Sequence, residues 1–197
     1  LMKLTRGGRR TFFDVDLFPW VAHLEVSTPI IQRELEGMLA KIDLIPNFQD
    51  IQIENRTITM DDRWKSFFFC GYGAVHEKNV ARCPETYRLL ETIPGLTTAM
   101  FSILRPGKRL RPHRGPYKGV LRYHLALKVP KAADTCGIRV GPDVRQWEEG
   151  KSLIFDDTHR HEAWNESDEV RVVLFDEFAR RLPGPLAALN RFALHLL

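Results

Sequence analysis

Between residues 98 and 175 the chain breaks into short β-rich runs bounded by Gly and Pro: TAMFSIL (98–104), LRYHLALKV (121–129), GIRV (137–140), SLIF (152–155), HEAWN (161–165) and VRVVLF (170–175). Six short strands with no long helix between them predict a mainly β fold, an antiparallel sandwich or jelly roll. WKSFFFCGY (64–72) reads as a further strand able to extend one sheet. On the N-terminal side, residues 16–45 carry a helical pattern. Ser27 and Pro29 suit a helix start, and Ile31, Leu35, Met38, Leu39 and Ile42 fall at the three-and-four spacing of an amphipathic helix. A second helical stretch runs from Cys83 to Thr92, opened by Pro84 and stopped by Pro94 and Gly95. On the C-terminal side, Gly184–Leu197 reads as a short helix with Leu186, Leu189, Phe192, Ala193 and Leu196 clustered on one side. Such a stripe ordinarily docks on its own core; the alternative is a membrane or partner surface.

The 197 residues suit one domain, with a helical and mixed support region over 1–96, a jelly-roll core over 97–178 and a C-terminal helix over 183–197. A composition of 44% hydrophobic and 27% charged residues is that of a soluble globular protein, and no apolar run approaches the roughly 20 residues of a spanning helix. The opening LMKLTRGG lacks the apolar core of a secretory signal, so the expectation is a cytoplasmic protein, with peripheral membrane contact through the C-terminal helix as the alternative. The net charge of +4 comes from basic residues spread along the chain and interleaved with 25 acids. That dispersion argues against nucleic acid, although a small anionic ligand or an anionic membrane would use the same surplus. Cys70, Cys83 and Cys136 are too few and too scattered for a disulfide framework or a zinc site, and are expected to be thiols.

Four of the seven histidines, His113, His124, His159 and His161, lie in the β-rich half. His113 sits in a Pro/Gly loop, RPHRGP, ahead of one strand. His159 and His161 follow an acidic turn, FDDTHRHEAW, and enter another. Two neutral imidazoles from opposed strands at the mouth of a barrel can hold a divalent first-row metal and leave coordination positions open, as an oxygenase requires. A lone histidine in a strand is more often a hydrogen-bonded core or surface residue, so composition alone does not establish a metal.

The segments HRGPYKGVLRYHLALKVP (113–130), CGIRVGPDVRQWEEGKSLIFDD (136–157), HEAWN (161–165) and RVVLF (171–175) resemble the aspartyl/asparaginyl β-hydroxylase family of Fe(II)- and 2-oxoglutarate-dependent dioxygenases. The resemblance covers essentially all of residues 97–178. It continues more weakly through FPW (18–20), the stretch around Trp64, and CPETYRLLETIPG (83–95). It implies a double-stranded β-helix of the cupin type, Fe(II), 2-oxoglutarate and O2, and hydroxylation of an unactivated carbon. The family's first metal ligand heads an H-x-G sequence, matched by His113 and Gly115. Its second precedes an E-x-W run, matched by His161 with Glu162 and Trp164, which leaves His159 a bystander. Related oxygenases mostly add a carboxylate two residues after the first histidine, which Gly115 cannot supply. Asp156 or Asp157 could substitute, although shaping the turn is the simpler role. Arg171 would grip the distal carboxylate of 2-oxoglutarate together with Ser102, its planar fork giving two parallel hydrogen bonds. Arg122 and His124 would lie near the other carboxylate, and their shared parity on one strand points both inward. Without the resemblance, Arg122 reads as a surface ion-pair residue. Trp64 and Trp164 are candidate pocket walls, with plain core as the alternative.

The substrate is less legible. The family label favours Asp or Asn in a peptide, yet family enzymes acting on those residues use extra basic side chains at positions that hold Met100 and Val120 here. A buried carboxylate without a cation is costly, so this pocket reads as apolar. A related branch, the lipid A acyl-chain hydroxylases, is similar in AMFSIL (99–104) and LRYHL (121–125) and in its apolar tail, but tends to carry H-x-D at the first ligand. A peptide or protein, a lipid acyl chain and a small metabolite therefore all stand as substrates. A cupin-like binding protein without turnover is the alternative of a different class.

Overall fold

The computed structural model describes residues 10–51 and 57–195. Its strands are β1 (Phe12–Phe13), β2 (Trp64–Gly71), β3 (Ala74–Val75), β4 (Leu96–Leu104), β5 (Lys108–His113), β6 (Val120–Lys128), β7 (Cys136–Val140), β8 (Asp143–Arg145), β9 (Ser152–Phe155), β10 (His161–Asn165) and β11 (Arg171–Ala179). They pair antiparallel into a seven-stranded sheet, β1-β9-β6-β11-β4-β2-β3, and a four-stranded sheet, β5-β10-β7-β8. The helices are α1 (Trp20–Val26), α2 (Thr28–Leu39), α3 (Phe48–Ile51), α4 (Glu77–Val80), α5 (Pro84–Leu90) and α6 (Gly184–His195).

Alternation sorts the large sheet's side chains into two apolar layers. On the helix side, Phe101 and Ile103 of β4, Leu121, Tyr123, Leu125 and Leu127 of β6, and Val172, Leu174 and Phe178 of β11 pack with Leu24, Ile31, Leu35, Met38 and Leu90. On the other side, Met100, Leu104, Ala126 and Val173 face Leu110, Ile138, Val140 and Ala163 of the small sheet. With apolar layers on both faces, VRVVLF reads as a nearly continuous apolar run rather than an alternating one. Two facing antiparallel sheets make the jelly roll expected from the sequence, with helices on the outer face of the large sheet. Strands β1 and β2, from the N-terminal half, join that sheet.

Three local expectations change. Residues 16–45 form α1, α2 and short 3-10 turns rather than one helix. α2 does start directly after Ser27 with Pro29 in its first turn, but the Ser27 hydroxyl donates to the His23 carbonyl at 2.8 Å and makes no side-chain cap. Strand β5 (KRLRPH) was not expected. It is an edge strand, where Pro112 needs no donor partner, and its outward arginines hide the alternation.

One side chain on the helix side conflicts with its surroundings. Asp176 is fully buried, and neither carboxylate oxygen has a hydrogen-bond partner among the described residues. Burial pushes its pKa well above the ordinary carboxylate range. The folded state therefore holds a proton that the unfolded chain releases from about pH 4 upward, and stability falls as pH rises through that window. Asp176→Asn should flatten this loss from about pH 4 upward, read as the shift of the urea midpoint with pH; an unchanged slope would assign the dependence elsewhere.

Candidate active site

In the small sheet, β10 pairs with β5 so that His161 lies directly across from His113, and the two rings stand 4.1 Å apart between centroids. His113 Nδ1 lies 2.7 Å from the Arg111 carbonyl and His161 Nδ1 lies 3.0 Å from the His159 carbonyl. A carbonyl only accepts, so each Nδ1 donates, and in the neutral ring each Nε2 keeps its lone pair for a metal. Burial lowers the pKa of both imidazoles. The His161 value falls to about 3, with the neighbouring His113 adding to the shift. His113 ends a strand rather than sitting in a loop. His159 contributes its carbonyl to the ring of His161.

Deeper between the sheets lies Arg171, 1% exposed. Its Nη1 donates to the Ser102 carbonyl at 3.1 Å and its guanidinium lies 4.6 Å over the Trp147 ring. Among the described residues no carboxylate pairs with it, and Nε is buried without a partner. Burial lowers its pKa to about 10, which leaves it cationic at neutral pH. Ser102 Oγ accepts from Trp64 Nε1 at 3.0 Å, so Trp64 orients the serine as well as filling core. His124 lies between Phe155 and Phe175, with both ring nitrogens buried and unpartnered. Burial, with Arg171 close by, holds its pKa well below the usual range.

Arg122 differs from Arg171. Its Nε donates to Asp157 Oδ2 at 2.8 Å, its Nη2 lies 3.3 Å from Glu177 Oε1, and it stacks 4.7 Å over Phe175. Burial opposes its charge, but the two carboxylates outweigh that and raise its pKa. Tyr72 donates to Glu177 Oε2 at 2.6 Å, and the Thr97 and Thr98 hydroxyls donate to the same oxygen. The ion-pair role read without the resemblance is the geometry found, although inside the site rather than on the surface. Met100 and Val120 are buried. Trp164 points away from the interior, with the Arg109 guanidinium 5.4 Å over its ring and Gly137 beneath it, so it is not a pocket wall. It alternates with His161, Ala163 and Asn165, which turn inward.

A family model described as Aspartyl/Asparaginyl beta-hydroxylase matches residues 25–181. The chain belongs to the aspartyl/asparaginyl β-hydroxylase family. It is an enzyme, a hydroxylase of the 2-oxoglutarate-dependent dioxygenase type. The ornithine lipid ester-linked acyl 2-hydroxylase of Rhizobium tropici is 49% identical over 189 residues, 96% of this chain and 67% of its own length. The human aspartyl/asparaginyl beta-hydroxylase is 35% identical over 125 residues, 61% of this chain and 16% of its own. Among solved structures, a Pseudomonas putida prolyl-4-hydroxylase overlaps 78% of this chain and 88% of its own at 16% identity, with a TM-score of 0.48.

For a member of this hydroxylase family, the donor set fits the expected groups. Two imidazoles with fixed tautomers suit a divalent metal, and an unpaired buried guanidinium suits a dicarboxylate. Among the described residues no group of three His, Cys, Asp or Glu side chains converges as a metal cage. Asp156 shapes the turn: it accepts from the Thr158 amide and hydroxyl and pairs with Arg180. Asp157 pairs with Arg122, and its Oδ1 is buried without a partner.

Trp147, Tyr72 and Glu177 escaped the sequence reading. Trp147 follows the short strand β8 in a polar stretch, RQWEEG, with no period to assign it a face. Glu177 is an acid among apolar neighbours in β11, a signal that could have been read.

A Cβ built on Gly115 would overlap the Asp157 carboxylate, while the Gly115 amide donates to the Asp157 carbonyl at 2.7 Å. The space a third ligand would need beside His113 is thus already filled. Gly115→Ala should push Asp157 away from Arg122 and weaken Mn(II) binding about 10–100-fold, measured by calorimetry. Affinity equal to the parent would show that the close fit is unimportant.

Proposed function

We propose that this chain is an Fe(II)- and 2-oxoglutarate-dependent hydroxylase of an ester-linked lipid acyl chain, with His113 and His161 as metal ligands and Arg171 with Ser102 as the anchor for the distal carboxylate. When bound, the iron and 2-oxoglutarate supply the oxidising chemistry with O2. The chain supplies the rest. The Arg111 and His159 carbonyls hold the rings in the ligating tautomer. Trp147 supports the planar guanidinium of Arg171, and Trp64 fixes the Ser102 hydroxyl toward a carboxylate. Phe155, Phe175 and Trp147 surround His124 and exclude water.

The substrate reading is carried by an apolar row that leads through His124 and Phe155 to the ring of His161. Phe68, Met100 and Phe175 are register partners across β2, β4 and β11, continuing to His124 on β6. A peptide carboxylate would need a free cation there, and Arg122 is already matched by Asp157 and Glu177. An acyl chain needs only apolar contact, worth roughly 0.8 kcal/mol per buried methylene. The 49% identity to a protein described as an acyl 2-hydroxylase supports the same choice.

Purified protein with Fe(II) and 2-oxoglutarate should convert an ester-linked acyl amino-acid lipid to its 2-hydroxy form, with one succinate per hydroxylation by NMR and mass spectrometry. His113→Ala and His161→Ala should reduce turnover to background. Coupled hydroxylation of an Asp/Asn peptide panel alone would replace the lipid reading with the peptide one. Arg171→Lys should weaken 2-oxoglutarate binding roughly 10–100-fold, the loss of one or two charge-assisted hydrogen bonds, with metal affinity unchanged.

A further inference from the structure

Helix α6 turns a polar side chain inward and leaves large apolar ones outside. Asn190 turns inward: Nδ2 donates to the Gly119 carbonyl at 2.8 Å, and Oδ1 accepts from the Tyr117 hydroxyl at 2.6 Å. A Cβ on Gly119 would overlap Asn190 Oδ1 and the Tyr117 ring, so the clasp needs glycine there. This fixes the helix's rotation. On the opposite side Pro185, Ala188, Leu189 and Phe192 follow one another at three-and-four spacing, and all are exposed, Leu189 and Phe192 each at 62%. A surface helix ordinarily turns its apolar stripe to the core. Here the stripe that was expected to dock on the core sends its two largest members into solvent.

The flanks are basic. Arg181 and Arg191 are exposed, and residues 178–197 contain no Asp or Glu. Among the described residues no helix is long and apolar enough to cross a membrane. An apolar row with cationic flanks and no acid matches an anionic bilayer, where the apolar side chains enter the headgroup boundary and the arginines meet lipid phosphates. Two large side chains offer far less than the ~800 Å2 per partner of a stable protein interface. Position adds to this. The loop that Asn190 grips connects His113 to β6, and its six residues from His113 to Gly119 can span at most about 22 Å.

We propose that the exposed face of α6 docks the enzyme on an anionic phospholipid bilayer, which brings the mouth of the site to the membrane surface. The inference rests on the acyl-lipid reading above, and the two can fail separately. Flotation of the full chain with phosphatidylcholine vesicles, with and without phosphatidylglycerol, tests it. The parent should bind the anionic vesicles at least ten times more tightly, and the binding should weaken with salt. The double variant Leu189→Glu/Phe192→Glu should lose at least tenfold of that affinity, while its 2-oxoglutarate affinity and its turnover of lipid dispersed in detergent stay at parent level. If that variant fails to fold, Arg181→Glu/Arg191→Glu should show the same loss. Equal vesicle binding by parent and folded variant overturns the proposal, as does a dimer-to-monomer shift in light scattering, which would make the face a contact between copies. Vesicle binding that depends on α6, without turnover of any acyl lipid, upholds the docking surface and removes the substrate reading.

Discussion

The pairing of β5 with β10 sets His161 across from His113, and the rest of the site is arranged around that register. Because side chains alternate along a strand, a slip of one residue would turn either imidazole to the opposite face. The register is held from both sides of β10. Ala163 pairs with Leu110 of β5 and Ile138 of β7, and all three are buried between the sheets. At the end of β10, Asn165 is fully buried and donates to the Leu104 and Glu169 carbonyls. The apolar interior and this anchor keep the two imidazoles opposite each other.

The two arginines of the interior show how environment, more than residue type, assigns a role. Arg122 is closed on itself by Asp157 and Glu177, and Tyr72 completes the network. It braces the mouth of the site and has little charge left to offer. Arg171 is more deeply buried, yet it has an aromatic ring and a carbonyl in place of a carboxylate. Leaving such a charge uncompensated in low dielectric is costly, and an anionic ligand removes that cost. Between the two cations lies the row from Phe68 to Phe175, which offers apolar contact and, among the described residues, no partner for another charge. On the proposed reading, the groups that would hold the co-substrate are separate from those that would meet the substrate.

Much of this was legible in the chain because the periods were clean. LRYHLALKV and HEAWN carried their alternation openly, so the strands and the inward direction of Arg122 and His124 could be read directly. β5 escaped because Arg109, Arg111 and Pro112 broke its pattern, which is permitted only because it is an edge. The same alternation that placed His161 inward already excluded Trp164, which follows it at odd spacing. α6 was recognised as a helix with an apolar stripe, but spacing says only which residues share a face, not what that face meets.

What the sequence by itself determined was most of the core strands and helices, which depend on a period, and, through the motifs of the family resemblance, the jelly-roll class and the candidate ligands. Tertiary structure alone decided which charges were spent on one another. Asp157 and Glu177 reach Arg122 from separate segments, with Tyr72 meeting Glu177 from a third, while among the described residues nothing acidic reaches Arg171, and no spacing in the chain distinguishes those outcomes. The direction of α6 was settled in the same way, by Asn190 finding Gly119 some seventy residues earlier. Coulomb and hydrogen-bond partners act through distance in space, and only the folded chain sets that distance.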